Sequence, residues 1–160
     1  MQSLGILGVG ELTEKVVRGL RRSGFDGAIL LSPRNAERAR ALAQACNCEV
    51  MSSNQAVVDN AAMLLLGVRP DSVAQLAAEI TPRPGQHLLS LIAGLDLQPL
   101  QPTFPGAVCV RVMLSYTAQF NQSTVVIDPP DETARICLGP LGSMVVMDDE
   151  PAFELATVAA

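Results

Sequence analysis

Short apolar runs alternate with amphipathic stretches along most of the chain. An apolar run that ends at glycine, proline or polar turn residues is typical of a strand buried in a parallel sheet. Runs of this kind lie at 4–8, 28–31, 61–66, 87–92, 108–113, 124–127 and 143–147, and a weaker strand candidate lies at 49–51. Helices are predicted where apolar residues recur at helical spacing or where alanine and arginine dominate. These stretches are 11–23, 35–45, 53–59, 70–80 and 131–138.

The order of these elements predicts the fold class. Strands separated by single helices at this spacing form a mainly parallel sheet that is covered on both faces. We therefore expect an α/β protein with a Rossmann-type, doubly wound, mainly parallel sheet and helices on both faces. After Gly94 the pattern changes, and Pro99, Pro102 and Pro105 predict an irregular connection in place of a helix.

The last residues of the chain predict one more helix. Asp149 and Pro151 are favourable helix-start residues, and apolar residues follow them. The chain reaches its last residue without a stop signal, although helices usually end at a recognisable cap. We therefore expect residues 1–150 to form the dinucleotide-binding domain suggested below, and residues 151–160 to begin a helix that leads into a further domain.

Charge and cysteine content narrow the range of partners. The net charge of −5 excludes the basic footprint of a nucleic-acid-binding protein. No apolar run approaches the roughly 18 residues of a membrane span, and no basic-then-apolar signal peptide opens the chain. The cysteines Cys46, Cys48, Cys109 and Cys137 have no histidine near the close pair, so no zinc site and no other metal site is predicted. We expect free thiols in the cytoplasm.

The turn between the first strand and the first helix carries the strongest chemical signal. Gly8 permits a tight turn, and Gly10 lets a pyrophosphate approach the backbone. The helix that begins near Glu11 offers free N–H groups and the positive end of its dipole to that phosphate. Thr13 occupies a position where glycine or alanine is usual, and we expect it to push the helix slightly away from the strand. The turn predicts dinucleotide binding.

The end of the second strand distinguishes NAD from NADP. An NAD site would carry Asp or Glu there, to bind the ribose 2′-hydroxyl. The segment 31–35 has no carboxylate, whereas Ser32 and Asn35 can donate hydrogen bonds and Arg34 can add charge-assisted ones. Arg34 could also simply open a solvated helix, but the pattern favours NADP, and NADPH is the predicted ligand.

Four segments, in order along the chain, resemble pyrroline-5-carboxylate reductase. The stretch 5–20 resembles the opening of that family, and Leu66-Gly-Val-Arg-Pro70 resembles its Ala-Val-Lys-Pro turn. Ser90-Leu-Ile-Ala-Gly94 is similar to the family's Ser-Ile-Ala-Ala-Gly strand end. Val110-Arg-Val-Met113 is similar to the start of its Arg-Val-Met-Pro-Asn-Thr-Pro motif. The resemblance covers nearly the whole chain and implies an NAD(P)H-dependent reductase of cyclic imines, which in the family makes proline.

The resemblance also implies which residues meet the cofactor. Those that would hold the pyrophosphate are Gly8, Val9, Gly10, Glu11 and Leu12. Those that would hold the ribose phosphate are Ser32, Pro33 and Arg34. Those that would line the nicotinamide side are Gly67, Val68, Arg69, Pro70, Ala93, Gly94 and Ser115. Each group follows a predicted strand, and ligands of open α/β sheets bind at the carboxyl ends of the strands.

Two departures from the family pattern bear on the activity. Residues 114–117 replace the family's Pro-Asn-Thr-Pro, so that Ser115 stands at the asparagine position and Tyr116 adds bulk. This change weakens the case for proline synthesis more than the case for cofactor binding. The family also has a C-terminal helical domain that forms a homodimer and completes the substrate pocket, and this sequence stops where that domain would begin.

No catalytic residue can be assigned from the sequence. His87 is predicted to be structural or exposed, because no acid or base can be placed beside it. The acidic run 148–150 is expected to cap a helix. Hydride transfer needs no covalent protein chemistry, since the cofactor supplies the hydride. Two alternatives stay open: another NADP-linked imine or hydroxy-acid reductase, or a non-catalytic module that binds NADPH.

Overall fold

The computed structural model describes residues 2–147, which form one eight-stranded sheet with helices on both faces. The strands are β1 (Leu4–Leu7), β2 (Ile29–Leu31), β3 (Glu49–Val50), β4 (Met63–Leu66), β5 (His87–Ser90), β6 (Val108–Met113), β7 (Ser123–Asp128) and β8 (Gly142–Val146). Their spatial order is β3-β2-β1-β4-β5-β6-β7-β8, and every neighbouring pair is parallel except β6 and β7. The predicted Rossmann-type fold is confirmed.

Six α-helices connect these strands. They are α1 (Glu11–Arg22), α2 (Ala36–Cys46), α3 (Asn54–Asn60), α4 (Val73–Glu79), α5 (Leu97–Thr103) and α6 (Glu132–Leu138). Apolar residues of α1, α2 and α6 pack on one face of the sheet, and those of α3, α4 and α5 pack on the other. Because both faces are covered, the central strands β1 and β4 are buried along their whole length, which explains their continuous apolar sequence.

The prediction of an irregular connection after Gly94 is wrong. Residues Leu97–Thr103 form α5, which contains Pro102. Pro99 lies in the first turn, where the missing N–H has no acceptor in the helix, and Pro102 lies next to the last residue, where it removes one hydrogen bond. Leu100 is fully buried, and its packing outweighs that loss.

The expectation that His87 has no acid beside it is also wrong. Its Nε2 lies 2.9 Å from Oδ2 of Asp131, while Oδ1 of Asp131 accepts a hydrogen bond from the Ala134 N–H and caps α6. His87 is half-buried at the amino end of β5, away from the carboxyl edge of the parallel strands. The pair therefore joins a strand to a helix terminus, and His87 keeps a structural role.

Three short 3₁₀ helices complete the described chain. Pro70–Ser72 opens the helix predicted at 70–80, Gly139–Leu141 precedes β8, and Tyr116–Phe120 was not predicted. Within residues 2–147 no helix has the length and apolar character to cross a membrane. The predicted helix after Asp149 and the acidic run 148–150 lie outside the described residues.

Candidate cofactor-binding site

The carboxyl edge of the sheet opens into a cleft of about 710 Å³. It lies between the turn after β1, the start of α2, the loop after β4 and the residue that opens the 3₁₀ helix after β6. The lining residues are Gly8, Val9, Gly10, Glu11, Leu12, Arg34, Asn35, Arg38, Gly67, Val68, Arg69, Ser72 and Tyr116. Nine of these are residues that the resemblance implied, and the four additions are Asn35, Arg38, Ser72 and Tyr116.

The two glycines of the β1–α1 turn have different roles. Gly8 has φ +98°, and a Cβ there would lie 2.7 Å from backbone atoms of Gly67 and Val68, so that only glycine fits. Gly10 has an ordinary φ of −127°, and a Cβ added to it would meet nothing within 4 Å. The space above Gly10 is therefore a cradle that a side chain would fill and that fits the pyrophosphate of a dinucleotide.

Thr13 is accommodated in the turn, contrary to the expected displacement of α1. Its side chain is buried, and its Oγ1 accepts a hydrogen bond from the Gly10 N–H and donates one to the Gly8 carbonyl, both at 2.9 Å. Its methyl group lies where Gly67 has no side chain, since a Cβ at Gly67 would overlap Thr13 Cγ2. A glycine on the neighbouring loop thus makes room for the larger residue.

The first turn of α1 faces the cleft with free donors. The amide groups of the first residues of a helix have no intrahelical acceptor, and α1 begins at Glu11. Because the Gly10 N–H is already bound to Thr13, the amides of Glu11, Leu12 and Thr13 are the donors that remain at the start of the helix. The helix dipole adds a partial positive charge at the same point.

Ser32 holds the loop after β2 in place and does not line the cleft. It is 2% exposed, and its hydroxyl donates to Asn54 Oδ1 at 2.5 Å. The Asn54 amide in turn donates to Glu79 Oε2 at 2.7 Å. This chain of hydrogen bonds ties the loop to α3 and α4, so Ser32 could bind a phosphate only by giving up its bond to Asn54. Pro33 also lies outside the lining.

The charges around this loop come from four elements. Arg38 Nη1 lies 3.0 Å from Glu14 Oε2, and Arg18 binds the other oxygen of the same carboxylate at 3.0 Å. Arg34 lies 4.0 Å from Glu79, at the limit of an ion pair. Three guanidinium groups therefore face the carboxylates of Glu14 and Glu79, and Glu37 brings a third carboxylate to the adjoining pocket that Arg18 and Arg38 also line, so the charges at this end of the cleft are largely balanced.

Only some of the residues that the resemblance implied for the nicotinamide side line the cleft. Gly67, Val68 and Arg69 line the cleft, whereas the residues at the same edge but outside the lining are Pro70, Ala93, Gly94 and Ser115. The Ser115 hydroxyl lies 2.6 Å from Thr117 Oγ1, and the Ser115 N–H donates to Ser123 Oγ. The segment after β6 is thus fixed by its own hydrogen bonds.

Tyr116 reaches the cleft from this segment. Its hydroxyl donates to Glu11 Oε2 at 2.8 Å, and this hydrogen bond raises the pKa of the phenol. Arg38 could have been found from the sequence because it lies in the first turns of α2, directly after the segment 31–35 that was expected to meet the ribose, although Arg34 itself precedes the helix. No comparable signal marks Tyr116, which lies 105 residues from Glu11 along the chain.

A second, apolar cavity of about 450 Å³ lies between the end of α1 and α6. Its lining includes Phe25, Met63 and Ile136 and contains no charged side chain. A dinucleotide carries several negative charges, so this cavity lacks the groups that would hold it. The described residues also contain no group of three or more His, Cys, Asp or Glu side chains suited to a metal ion.

Comparison with known proteins identifies the family. Residues 3–94 match the model of the family described as NADP oxidoreductase coenzyme F420-dependent. The chain belongs to this family. The matched region contains the turn after β1, α2 and the loop after β4, which together form most of the cleft. This NADP oxidoreductase family member therefore has a dinucleotide-binding oxidoreductase fold, as the turn predicts.

The relatives of this NADP oxidoreductase family member confirm the resemblance to pyrroline-5-carboxylate reductase. The enzyme of that name from Pisum sativum is 27% identical over 159 residues, which cover 92% of this chain and 58% of the relative. The structure of the enzyme from Streptococcus pyogenes superposes with a TM-score of 0.83 at 22% identity, and it covers 99% of this chain. A reductive aminase from Aspergillus terreus, in complex with NADPH4, cyclohexanone and allyl amine, has a TM-score of 0.81 at 18% identity and 99% coverage. The chain spans 62% and 59% of the lengths of these two solved proteins.

Proposed function

We propose that this chain is the cofactor-binding domain of an NADPH-dependent reductase that reduces a cyclic imine, as pyrroline-5-carboxylate reductases do in making proline. The observation that carries the proposal is the cleft itself. The open space above Gly10 and the free amides at the start of α1 face the same cleft as Arg34 and Arg38. A pyrophosphate and a ribose phosphate therefore find matching groups within one continuous surface.

The preference for NADP over NAD rests on the arginines of α2 and of the loop before it. Arg38 uses one N–H on Glu14, and a guanidinium group has five, so several remain for a 2′-phosphate. Arg34 is more than a third exposed and only loosely paired with Glu79. The N–H groups that Arg34 and Arg38 have free favour the phosphorylated ribose, although Glu14, Glu37 and Glu79 make the preference smaller than unpaired arginines would give.

The residues of this chain would bind and orient, and the nicotinamide would supply the hydride. The Gly8–Leu12 turn and the amides of α1 would hold the pyrophosphate, and the segment Gly67–Arg69 would border the nicotinamide side. An imine substrate must approach the hydride donor to about 3–3.5 Å. We propose that a C-terminal domain and a homodimer partner complete the wall that would hold the substrate.

A second candidate is an imine reductase with a different substrate. Ser115 and Tyr116 replace the family's Asn-Thr pair, and Tyr116 brings an aromatic ring to the cleft. This change supports a substrate pocket of different shape. The four free cysteines support a cytoplasmic location as a further part of the proposal, because a reducing compartment keeps thiols unpaired.

Two measurements test the proposal. Calorimetric titration of the chain with NADPH and NADH should show NADPH binding more tightly, by roughly 1.5–3 kcal/mol for charge-assisted contacts to the 2′-phosphate. Equal affinities would refute the NADP assignment. Any longer form of the protein should oxidise NADPH with pyrroline-5-carboxylate, and oxidation with other cyclic imines alone would favour the second candidate.

A further inference from the structure

Glu11 and Tyr116 connect two opposite walls of the cofactor cleft. Glu11 is the first residue of α1, on the pyrophosphate side, and Tyr116 opens the 3₁₀ helix after β6. Both line the cleft, and the Tyr116 hydroxyl donates to the Glu11 carboxylate at 2.8 Å. The side chains therefore lie across the route between the turn after β1 and the nicotinamide side.

The backbone that carries Tyr116 is held firmly against α1. A Cβ added at Gly19 of α1 would overlap the Ala118 carbonyl, which shows how closely the two helices approach. Asn121 ends the 3₁₀ helix in the left-handed conformation, and its side-chain amide donates to the carbonyl oxygens of Gly19 and Pro140 at 2.9 Å each. The backbone of this segment is therefore fixed, whereas the half-exposed Tyr116 side chain can change its rotamer without moving that backbone.

The Glu11 carboxylate opposes an anion at this position. The N–H of Glu11 is one of the donors that remain for a pyrophosphate, so the carboxylate of the same residue would lie within a few ångströms of bound phosphates. Like charges at about 6 Å in water repel enough to lower an affinity by about threefold per pair, and salt reduces this effect. Among the described residues, the hydrogen bond that the structure shows for this carboxylate comes from the neutral Tyr116 hydroxyl, and Arg38, whose charge also acts on Tyr116, offsets only part of the repulsion.

We propose that Glu11 and Tyr116 set nucleotide affinity by forming a hydrogen-bonded bar across the cofactor cleft, which a dinucleotide must open to reach the amides of α1. The inference rests on the proposed function, because it assumes that a dinucleotide binds here. The bar acts on the pyrophosphate that NADP and NAD share. It lowers the affinity for both nucleotides equally and leaves their ratio to Arg34 and Arg38.

Two variants test separately the charge of Glu11 and the hydroxyl of Tyr116. Glu11→Gln removes the charge and should tighten the binding of NADP⁺ and NAD⁺ by the same factor, on the order of fivefold. Tyr116→Phe removes the hydroxyl that holds the carboxylate across the cleft and should also tighten both, by about threefold. The matched control is Glu132→Gln, the same change at the first residue of α6, remote from the cleft, which should leave both affinities unchanged.

Tyr116 also reports on the bar directly, since the chain contains one tyrosine and no tryptophan. Its ionisation can be followed by ultraviolet absorbance without interference from another phenol. The Tyr116 pKa should lie above the ordinary value of about 10 in the wild type and fall in Glu11→Gln, where the charged acceptor is absent. The ring signals of Tyr116 in NMR spectra should shift when NADP⁺ is added.

The outcomes distinguish the bar from the proposed function. If the wild type binds neither nucleotide, the proposed function fails. If it binds NADP⁺ but Tyr116→Phe binds it equally or more weakly, the bar is refuted and the proposed function stands. Equal Tyr116 pKa values in the wild type and Glu11→Gln, or ring signals that NADP⁺ does not move, would also refute the bar.

Discussion

Replacing Arg38 with alanine should weaken NADPH binding and leave NADH binding nearly unchanged. Arg38 lines the cleft beside Arg34, and its side chain is 35% exposed. Hydrogen bonds to charged groups contribute about 1.5–3 kcal/mol, and partial exposure reduces this to about 1–2 kcal/mol. The substitution also removes the 3.0 Å contact between Arg38 and Glu14. The Glu14 carboxylate would then repel the 2′-phosphate more strongly. NADPH affinity should fall by about five- to thirtyfold, at about 1.4 kcal/mol per factor of ten.

The assay is calorimetric titration of each variant with both nucleotides at one salt concentration, because exposed charges are screened. Arg40→Ala is the matched control. Arg40 is exposed on the same helix and does not line the cleft. Its Nε donates to the Ala36 carbonyl of that helix. The two variants have the same net charge, so only a local effect can separate them. Equal losses for NADPH and NADH in Arg38→Ala, or equal NADPH losses in both variants, would refute the reasoning.

Four further predictions concern the turn, its packing, the thiols and the activity. Gly10→Val should abolish nucleotide binding yet keep the fold, because the side chain would fill open space above a backbone of ordinary φ; titration and circular dichroism test both parts. Gly67→Ala should lower the free energy of unfolding by about 1–3 kcal/mol in urea titrations, since the new Cβ overlaps Thr13 Cγ2, and adding Thr13→Ser should restore most of the loss. Burial raises the pKa of the Cys109 thiol to about 11 and that of Cys137 to about 12, so mass spectrometry should find neither alkylated by iodoacetamide near pH 8 until the chain unfolds. The 160-residue chain should not oxidise NADPH with pyrroline-5-carboxylate, and turnover equal to that of a longer form would show that its substrate site is complete.

Local sequence patterns were sufficient for most of the architecture. The strand β6 was predicted with its observed bounds, and the helix α3 to within a residue at each end; the Ser53 side chain caps it by accepting from the Ala56 N–H. The turn after β1 was recognisable because its glycines are needed at their own positions, where the backbone turns tightly between a strand and a helix. These features depend on neighbours within a few positions, and such neighbours are visible in one sequence.

The errors arose where distant residues decide the outcome. Thr13 was expected to displace α1, but Gly67, which lies on another loop, makes room for its methyl group. His87 was left without a partner because Asp131 lies 44 residues away. Pro102 was taken as a helix breaker, although the burial of Leu100 outweighs the one hydrogen bond that it removes.

The sequence by itself determined the fold class, the phosphate-binding turn and the absence of an acid directly after β2. Only the tertiary structure decided the charge balance there, because Glu14 and Glu79 reach the arginines from α1 and α4. It also brought Tyr116 to Glu11 across the cleft. The parallel sheet is the physical reason, since it gathers the carboxyl ends of strands that are far apart in sequence at one edge, and the side chains that meet there have no common sequence pattern.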